Sequence, residues 1–109
     1  MNVEIIKCLE DNYSYLIIDS KKNACVVDPS EEGPVIASVE SNQANLKYIL
    51  NTHHHFDHIG GNLNLKKKYN AKVIGYVKDK HRIPGINITL NDGEKFNFGK
   101  SIVKIIHIP

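Results

Sequence analysis

The sequence predicts an α/β fold in which a mixed β-sheet carries helices on its outer face. Three short apolar runs open the chain, at Val3–Cys8, Tyr13–Ile18 and Ala24–Val27. The turn-rich pieces between these runs suit an antiparallel meander of strands. Two helix-like stretches then alternate with further strand-like runs, and this order fits a sheet covered by helices on one side.

The remaining elements follow from the periodicity of apolar residues and from turn signals. Glu31–Gln43 is predicted to be a helix, because it has an acidic first turn and an apolar stripe. Tyr48–Leu50 is predicted to be a strand, and a second helix is predicted from His58 to Tyr69, with the following asparagine as its stop. Lys72–Tyr76 is a further predicted strand, and Val77–Asn87 is interpreted as an irregular connection. A last pair of strands is predicted at Lys95–Phe98 and Ser101–Ile108.

Length and composition exclude several classes of protein. The chain has 109 residues, enough for one small domain, and is 41% hydrophobic and 24% charged, as globular proteins are. Its net charge of +2 is too small to indicate a nucleic-acid partner. No apolar run approaches the roughly 18–20 residues that cross a bilayer. The N-terminus lacks the pattern of a signal peptide, so a cytoplasmic location is expected.

Some residues that could suggest a function are better explained by structure. Cys8 and Cys25 could form a disulfide, but in a cytosolic chain they are expected to be small buried hydrophobes. The lysines of Lys66–Lys68 lack interleaved aromatic residues and are interpreted as a solvated helix face. Tyr13 and Tyr15 alternate with apolar neighbours and are expected to pack in the interior.

One short segment concentrates side chains that bind metals. His53 and His55 are two residues apart on chain emerging from a strand, so both project to the same side, whereas His54 projects to the other. Asp57 and His58 follow at once. Imidazole and carboxylate groups are suitable ligands for zinc, and also for iron or manganese. Four such groups can surround two metal ions if each pair takes one. The alternative is a surface histidine tract that collects metal incidentally, but the diglycine helix start that follows argues against it.

The pattern His53-x-His55-x-Asp57-His58 resembles the HxHxDH motif of the metallo-β-lactamase superfamily. The wider string THHHFDHIGGN at Thr52–Asn62 is similar to that of glyoxalase II, hydroxyacylglutathione hydrolase. The same similarity covers DNYSYL near the start, VVDPS after it, and NDGEKFNFG followed by SIVKIIHIP at the end. The resemblance therefore extends over nearly the whole chain.

This resemblance implies a fold, a ligand set and a cofactor. The fold would be the N-terminal half of an αββα sandwich. His53 and His55 match ligands of the first metal, and Asp57 and His58 match ligands of the second, with Asp57 also assigned a catalytic role. The cofactor would be two divalent ions, with zinc preferred over iron or manganese. Asp28 matches a buried aspartate that supports the site, although a strand-ending turn residue is an alternative.

The resemblance also implies hydrolysis of a small-molecule glutathione thioester, S-lactoylglutathione, to lactate and glutathione. The family's remaining ligands and its helical substrate domain would follow Pro109, so His107 is not expected to be a ligand. Residues 1–109 are therefore expected to be a truncated N-terminal half, inactive alone and able to self-associate through an uncovered sheet. Two alternatives stay open: another hydrolase or nuclease of the same fold, and a metal-binding gene fragment without turnover.

Overall fold

The computed structural model describes residues 2–8, 12–51, 62–76, 86–90, 95–98 and 101–104. These residues form eight strands and two helices. In chain order the elements are β1 (Asn2–Cys8), β2 (Asn12–Ile18), β3 (Asn23–Val27), α1 (Glu32–Ser41), β4 (Asn45–Asn51), α2 (Asn62–Tyr69), β5 (Lys72–Tyr76), β6 (Ile86–Leu90), β7 (Lys95–Phe98) and β8 (Ser101–Lys104).

Six strands form one mixed sheet in the order β1-β2-β3-β4-β5-β6, and β7 and β8 form a separate antiparallel pair. The pairs β1–β2 and β2–β3 are antiparallel, which confirms the predicted meander. From β3 to β6 every neighbouring pair is parallel. Parallel neighbours need a crossover connection, and α1 and α2 supply it between β3 and β4 and between β4 and β5. The predicted α/β fold with a mixed sheet is confirmed.

The sequence prediction was wrong about one strand and incomplete about another. β6 occupies Ile86–Leu90, whereas Val77–Asn87 was interpreted as an irregular connection. The run INITL alternates β-branched residues with polar ones, but it is short and follows a Pro-Gly turn signal, so pairing with β5 decides its structure. β4 spans Asn45–Asn51 rather than Tyr48–Leu50 only. The residues that were predicted to be helical at 58–61 and extended at 105–108 lie outside the described residues.

Both helices are followed by a residue with left-handed backbone geometry. After α1, Gln43 has φ 53° and its N–H donates to the carbonyl of Glu40 at 3.0 Å. The N–H of Ala44 donates to the carbonyl of Val39 at 3.0 Å, which completes a Schellman motif. After α2, Asn70 has φ 53°, the left-handed conformation that asparagine tolerates well. The predicted stop at this residue is confirmed.

The main core lies between the sheet and the two helices. The helices contribute Val35, Val39 and Leu65, each at most 1% exposed. The sheet contributes alternate residues of the strands beneath them, a set that comprises Ile6, Leu16, Ile18, Ala24, Val26, Leu46, Ile49 and Val73. We call this side of the sheet the helix-covered face. Both helices lie on it, as the sequence predicted.

The opposite side, which we call the second face, has a buried centre and an exposed margin. Cys25, Leu50 and Ile74 are buried at its centre. Val3, Ile5, Tyr13 and Tyr15 lie on β1 and β2 and are between 41% and 65% exposed. We call these four residues the β1–β2 patch. The prediction that the two tyrosines pack in the interior is wrong, because they alternate onto this outer margin. No helix in the described part of the chain is long and apolar enough to span a bilayer.

Candidate metal centre

The four parallel strands bring their carboxyl ends to one edge of the sheet. The register pairs Val27 with Leu50 and Asn51 with Gly75, and Tyr76 pairs with a residue at the end of β6. In open α/β sheets, ligands bind in the crevice outside the carboxyl ends of the strands. Asn51, which directly precedes the histidine-rich segment in the sequence, ends β4 at this edge. The described chain therefore reaches that segment at the edge where such sheets hold their ligands.

The four predicted ligands, His53, His55, Asp57 and His58, lie outside the described residues, as does His107. Among the residues that the structure does describe, no three or more His, Cys, Asp or Glu side chains are grouped closely enough to hold a metal ion. The ligand assignment therefore stays a prediction. The structure defines the residues on either side of the segment, Asn51 at the end of β4 and Asn62 at the start of α2.

Asp28 lies at this edge, immediately after β3. Its side chain is buried, with 7% exposure, and its φ of 52° places it in the left-handed region, which aspartate enters more readily than most residues. Its N–H donates to the carbonyl of Leu50 at 2.9 Å. Its carbonyl accepts a hydrogen bond from Ser14 Oγ at 2.6 Å. Asp28 follows the end of β3, as the turn interpretation predicts, and it also lies beside the end of β4. Its supporting role at the metal site stays a prediction.

Asn51 and Asn62 form a reciprocal pair of amides across the ends of the histidine segment. Asn51 Nδ2 donates to Asn62 Oδ1 at 3.2 Å, and Asn62 Nδ2 donates to Asn51 Oδ1 at 2.5 Å. Asn51 is 2% exposed and Asn62 is fully buried. A buried polar group left without a partner costs about 1–3 kcal/mol, so each amide stabilises the burial of the other. The last residue of β4 and the first residue of α2 are thereby joined.

Sequence reasoning missed Ser14, Asn51 and Asn62 as parts of this edge. Ser14 is fully buried on β2 and holds the carbonyl of Asp28. The available signal was the type of residue: a serine or asparagine at an inward position of a strand or helix needs a hydrogen-bond partner. The sequence does not indicate which partner, because Ser14 and Asp28 are 14 positions apart.

Cys25 is poorly suited to binding a metal ion. It is a free thiol with 1% exposure on β3, and burial raises its pKa to about 12. A thiol binds metal as the thiolate, which this environment disfavours. The prediction that this cysteine is a small buried hydrophobe is confirmed, and the disulfide alternative is wrong. The side chain of Cys8 lies outside the described residues.

The residues present fit divalent cations by their chemistry. The predicted set has three imidazoles and one carboxylate, which are ligand types that zinc accepts. The described edge adds the buried carboxyl group of Asp28 and the neutral amides of Asn51 and Asn62. None of these three described residues is positively charged, so they are compatible with cations bound at this edge.

Comparison with known proteins supports this arrangement at the level of sequence and fold. The sequence model of the metallo-beta-lactamase superfamily matches residues 9–86. The chain is 57% identical to a hydroxyacylglutathione hydrolase of Pelagibacter ubique over 100% of its own length and 46% of that relative. It is 44% identical to a hydroxyacylglutathione hydrolase of Methylococcus capsulatus over 95% of its own length and 41% of that relative. The chain thus spans less than half the length of these curated relatives.

Solved structures agree on the fold. The BLEG-1 B3 metallo-beta-lactamase superposes with a TM-score of 0.82 at 20% identity, covering 93% of this chain and 58% of that one. The ETHE1 protein of Myxococcus xanthus superposes with a TM-score of 0.82 at 23% identity, covering 95% of this chain and 47% of that one. Since the family match covers residues 9–86 and the fold agrees, the chain belongs to the metallo-β-lactamase superfamily.

Proposed function

We propose that this chain provides the metal-binding part of a hydroxyacylglutathione hydrolase, a metal-dependent thioester hydrolase. The observation that carries the proposal is that Asn51 and Asn62, the residues that flank the histidine-rich segment in the sequence, are hydrogen-bonded to each other at the carboxyl edge of the sheet, where Asp28 also lies. The 57% identity to a hydroxyacylglutathione hydrolase favours thioester chemistry over other reactions of the superfamily.

The proposed ligands are His53 and His55 for one divalent ion and Asp57 and His58 for the other. Zinc suits this set, and iron or manganese are alternatives. When bound, the ions would make hydroxide available at neutral pH and stabilise negative charge on the carbonyl oxygen of the substrate. Asp57 would have a catalytic role through its contact with the second ion.

The proposed substrate is a small glutathione thioester, S-lactoylglutathione. Its hydrolysis forms a bond from the water oxygen to the carbonyl carbon and breaks the bond from that carbon to sulfur. The thiolate that leaves takes up one proton of the water and the other proton is released to solvent, so the products are lactate and glutathione. Asp28, held by Ser14 and Leu50, would keep the base of the site fixed while these charges move.

We also propose that residues 1–109 correspond to the N-terminal part of a metallo-β-lactamase-like domain. The lengths of the relatives support this assignment, since the chain spans 46% and 41% of the two described above. Neither nucleic acid nor membrane is a proposed partner. A cytoplasmic location stays a prediction, and the free thiol of Cys25 agrees with a reducing compartment.

A fusion protein tests the proposal. Residues 1–109 would be joined to the remaining part of the Pelagibacter ubique relative, and hydrolysis of S-lactoylglutathione would be measured after loading with zinc. We expect turnover in the fusion, and a loss of more than about 10³-fold in kcat/KM on His55→Ala, since groups that act as a unit lose most of the rate together. His54→Ala is the matched control and should retain activity. Hydrolysis of a phosphodiester but not of the thioester would favour the nuclease alternative.

A further inference from the structure

We propose that a hydrogen-bonded cluster of Glu4, Ser38 and Asn42 holds the first strand of the sheet closed and controls how often that strand opens. Glu4 lies on β1, Ser38 lies in the last turn of α1, and Asn42 is the residue that caps the C-terminus of this helix. We call these three residues the Glu4 cluster. None of them belongs to the proposed metal centre, so the inference does not depend on the proposed function.

The carboxylate of Glu4 joins two elements that are far apart in the sequence. Its Oε2 accepts a hydrogen bond from Ser38 Oγ at 2.9 Å and another from Asn42 Nδ2. These partners lie 34 and 38 positions along the chain from Glu4. Hydrogen bonds to a carboxylate are stronger than hydrogen bonds between neutral groups. The cluster therefore ties β1 to α1 through two charge-assisted hydrogen bonds.

The two donors are themselves held in place at the end of α1. Asn42 Nδ2 also donates to the carbonyl of Ser38 at 2.8 Å, and the N–H of Asn42 donates to the same carbonyl at 3.2 Å. A carboxylate near the C-terminal end of a helix is disfavoured by the helix dipole. The helix α1, which is described in full, has no basic residue in its last turn to offset this. The hydrogen bonds from Ser38 and Asn42 are thus the interactions that keep the Glu4 carboxylate at this position.

Other interactions hold β1 in the sheet only weakly. It is an edge strand, paired with β2 alone among the described strands. Among its described side chains, Ile6 is the one buried apolar group, whereas Val3 and Ile5 are 61% and 65% exposed. Elements with few buried apolar contacts open locally at a low cost in free energy. The Glu4 cluster consequently supplies a large share of the interactions that keep β1 closed.

Opening of β1 bears on the candidate metal centre through β2. Ile6 pairs with Ser14 in the register of the two strands, and the hydroxyl of Ser14 donates to the carbonyl of Asp28. Ser14 is fully buried while β1 is closed. When β1 opens, β2 becomes the edge of the sheet and water reaches its backbone. The Glu4 cluster is therefore a conformational device that shields one support of Asp28 from water.

Amide hydrogen exchange of β1 in the parent chain tests the inference. Exchange rates in β1 would be compared with those in β3, which lies in the interior of the sheet and serves as the internal reference. Glu4→Ala should accelerate exchange in β1 about tenfold, because hydrogen bonds to a carboxylate are lost, and should leave β3 unchanged. Glu4→Gln retains an acceptor oxygen, so its acceleration should be smaller than that of Glu4→Ala.

Two further variants show whether the effect passes through the cluster. Asn42→Ala should accelerate exchange in β1 less than Glu4→Ala does, because Ser38 still donates to the carboxylate. In the Glu4→Ala background, Asn42→Ala should have no additional effect on β1, because the hydrogen bond of Asn42 to the described part of this strand goes to Glu4. Lys7→Ala is the matched control, since it removes an exposed charged side chain from the same strand. It should leave exchange in β1 within about twofold of the parent.

The outcomes decide the inference without reference to zinc or to catalysis. Unchanged exchange of β1 in a folded Glu4→Ala variant would overturn it, as would equal acceleration in Lys7→Ala. Should Glu4→Ala fail to fold, Ser38→Ala decides, because it removes one donor and leaves the carboxylate: faster exchange confined to β1 supports the cluster, and unchanged exchange overturns it. A β1 that exchanges in the parent as fast as an unstructured peptide would also overturn the inference, because the strand would not be held closed.

Discussion

The two faces of the six-stranded sheet differ in how completely they are covered. On the helix-covered face, α1 and α2 bury every sheet residue of the main core to 7% exposure or less. On the second face, Cys25, Leu50 and Ile74 are buried, but the β1–β2 patch of Val3, Ile5, Tyr13 and Tyr15 remains open to solvent. The helix-covered face is thus fully buried at its core, whereas the second face has an exposed apolar margin. The chain spans less than half the length of the two curated relatives described above.

The largest expected effect of this difference is on catalysis. The 109 residues alone, loaded with zinc, are expected to show at least about 10³-fold lower hydrolysis of S-lactoylglutathione than the fusion protein, because they span less than half the length of the relatives and groups that act as a unit lose most of the rate together. The assay would follow thioester loss at equal molar amounts of both proteins. Rapid turnover by the chain alone that disappears on His58→Ala would contradict this, and would show that the remaining ligands come from another source, such as a second copy.

One alanine substitution on each face should separate the contributions of the two faces to stability. Ile49 is fully buried on the helix-covered face, and Ile49→Ala should lower the free energy of unfolding by about 2–5 kcal/mol. Ile5 is 65% exposed on the second face, and Ile5→Ala should change it by less than about 0.5 kcal/mol. Urea denaturation of the two variants provides the measurement. Equal losses would mean that the margin of the second face is covered in solution.

The centre of the second face can be tested by pH. Burial raises the pKa of the Cys25 thiol from 9.0 to about 12, so the unfolded chain releases this proton first as pH rises. Stability should therefore be unaffected by Cys25 below about pH 9 and should fall above it, by up to about 1.4 kcal/mol per pH unit, until the folded pKa is reached. Comparing unfolding curves of the parent and Cys25→Ala isolates this contribution, since the variant lacks it. Identical pH profiles would show that water reaches the thiol.

We expect the β1–β2 patch to support self-association. Of the effects predicted here, this one should have the smallest free-energy change per residue. Exposed apolar side chains on an edge strand favour pairing with another copy. The double substitution Ile5→Lys with Tyr15→Lys should shift the chain toward monomer in sedimentation and light scattering. Leu63→Lys is the control, because Leu63 is 57% exposed but lies on α2. A parent chain that is monomeric at all concentrations would exclude association through the β1–β2 patch.

The elements that could be predicted from the sequence were those whose signal is local. The meander of β1 to β3 follows from runs of apolar residues between turns, and the ends of the helices follow from residues such as Asn70. The ligand pattern is also local, because its four members fall between His53 and His58. β6 could not be predicted in this way, since it becomes a strand by pairing with β5. The same reason applies to Ser14 and to the asparagine pair, whose partners are set by the fold.

The most direct test of the central claim is a zinc titration of the chain with single histidine substitutions. The account predicts that these 109 residues bind zinc, and that the affinity is modest because the proposed set supplies two ligands to each metal, whereas zinc sites usually have three or four protein ligands. His55→Ala should weaken binding at least about tenfold. His54→Ala, which removes the neighbouring histidine that is not a proposed ligand, should leave the affinity unchanged. Equal affinities in the parent and in His55→Ala would contradict the ligand assignment, and with it the proposed metal centre.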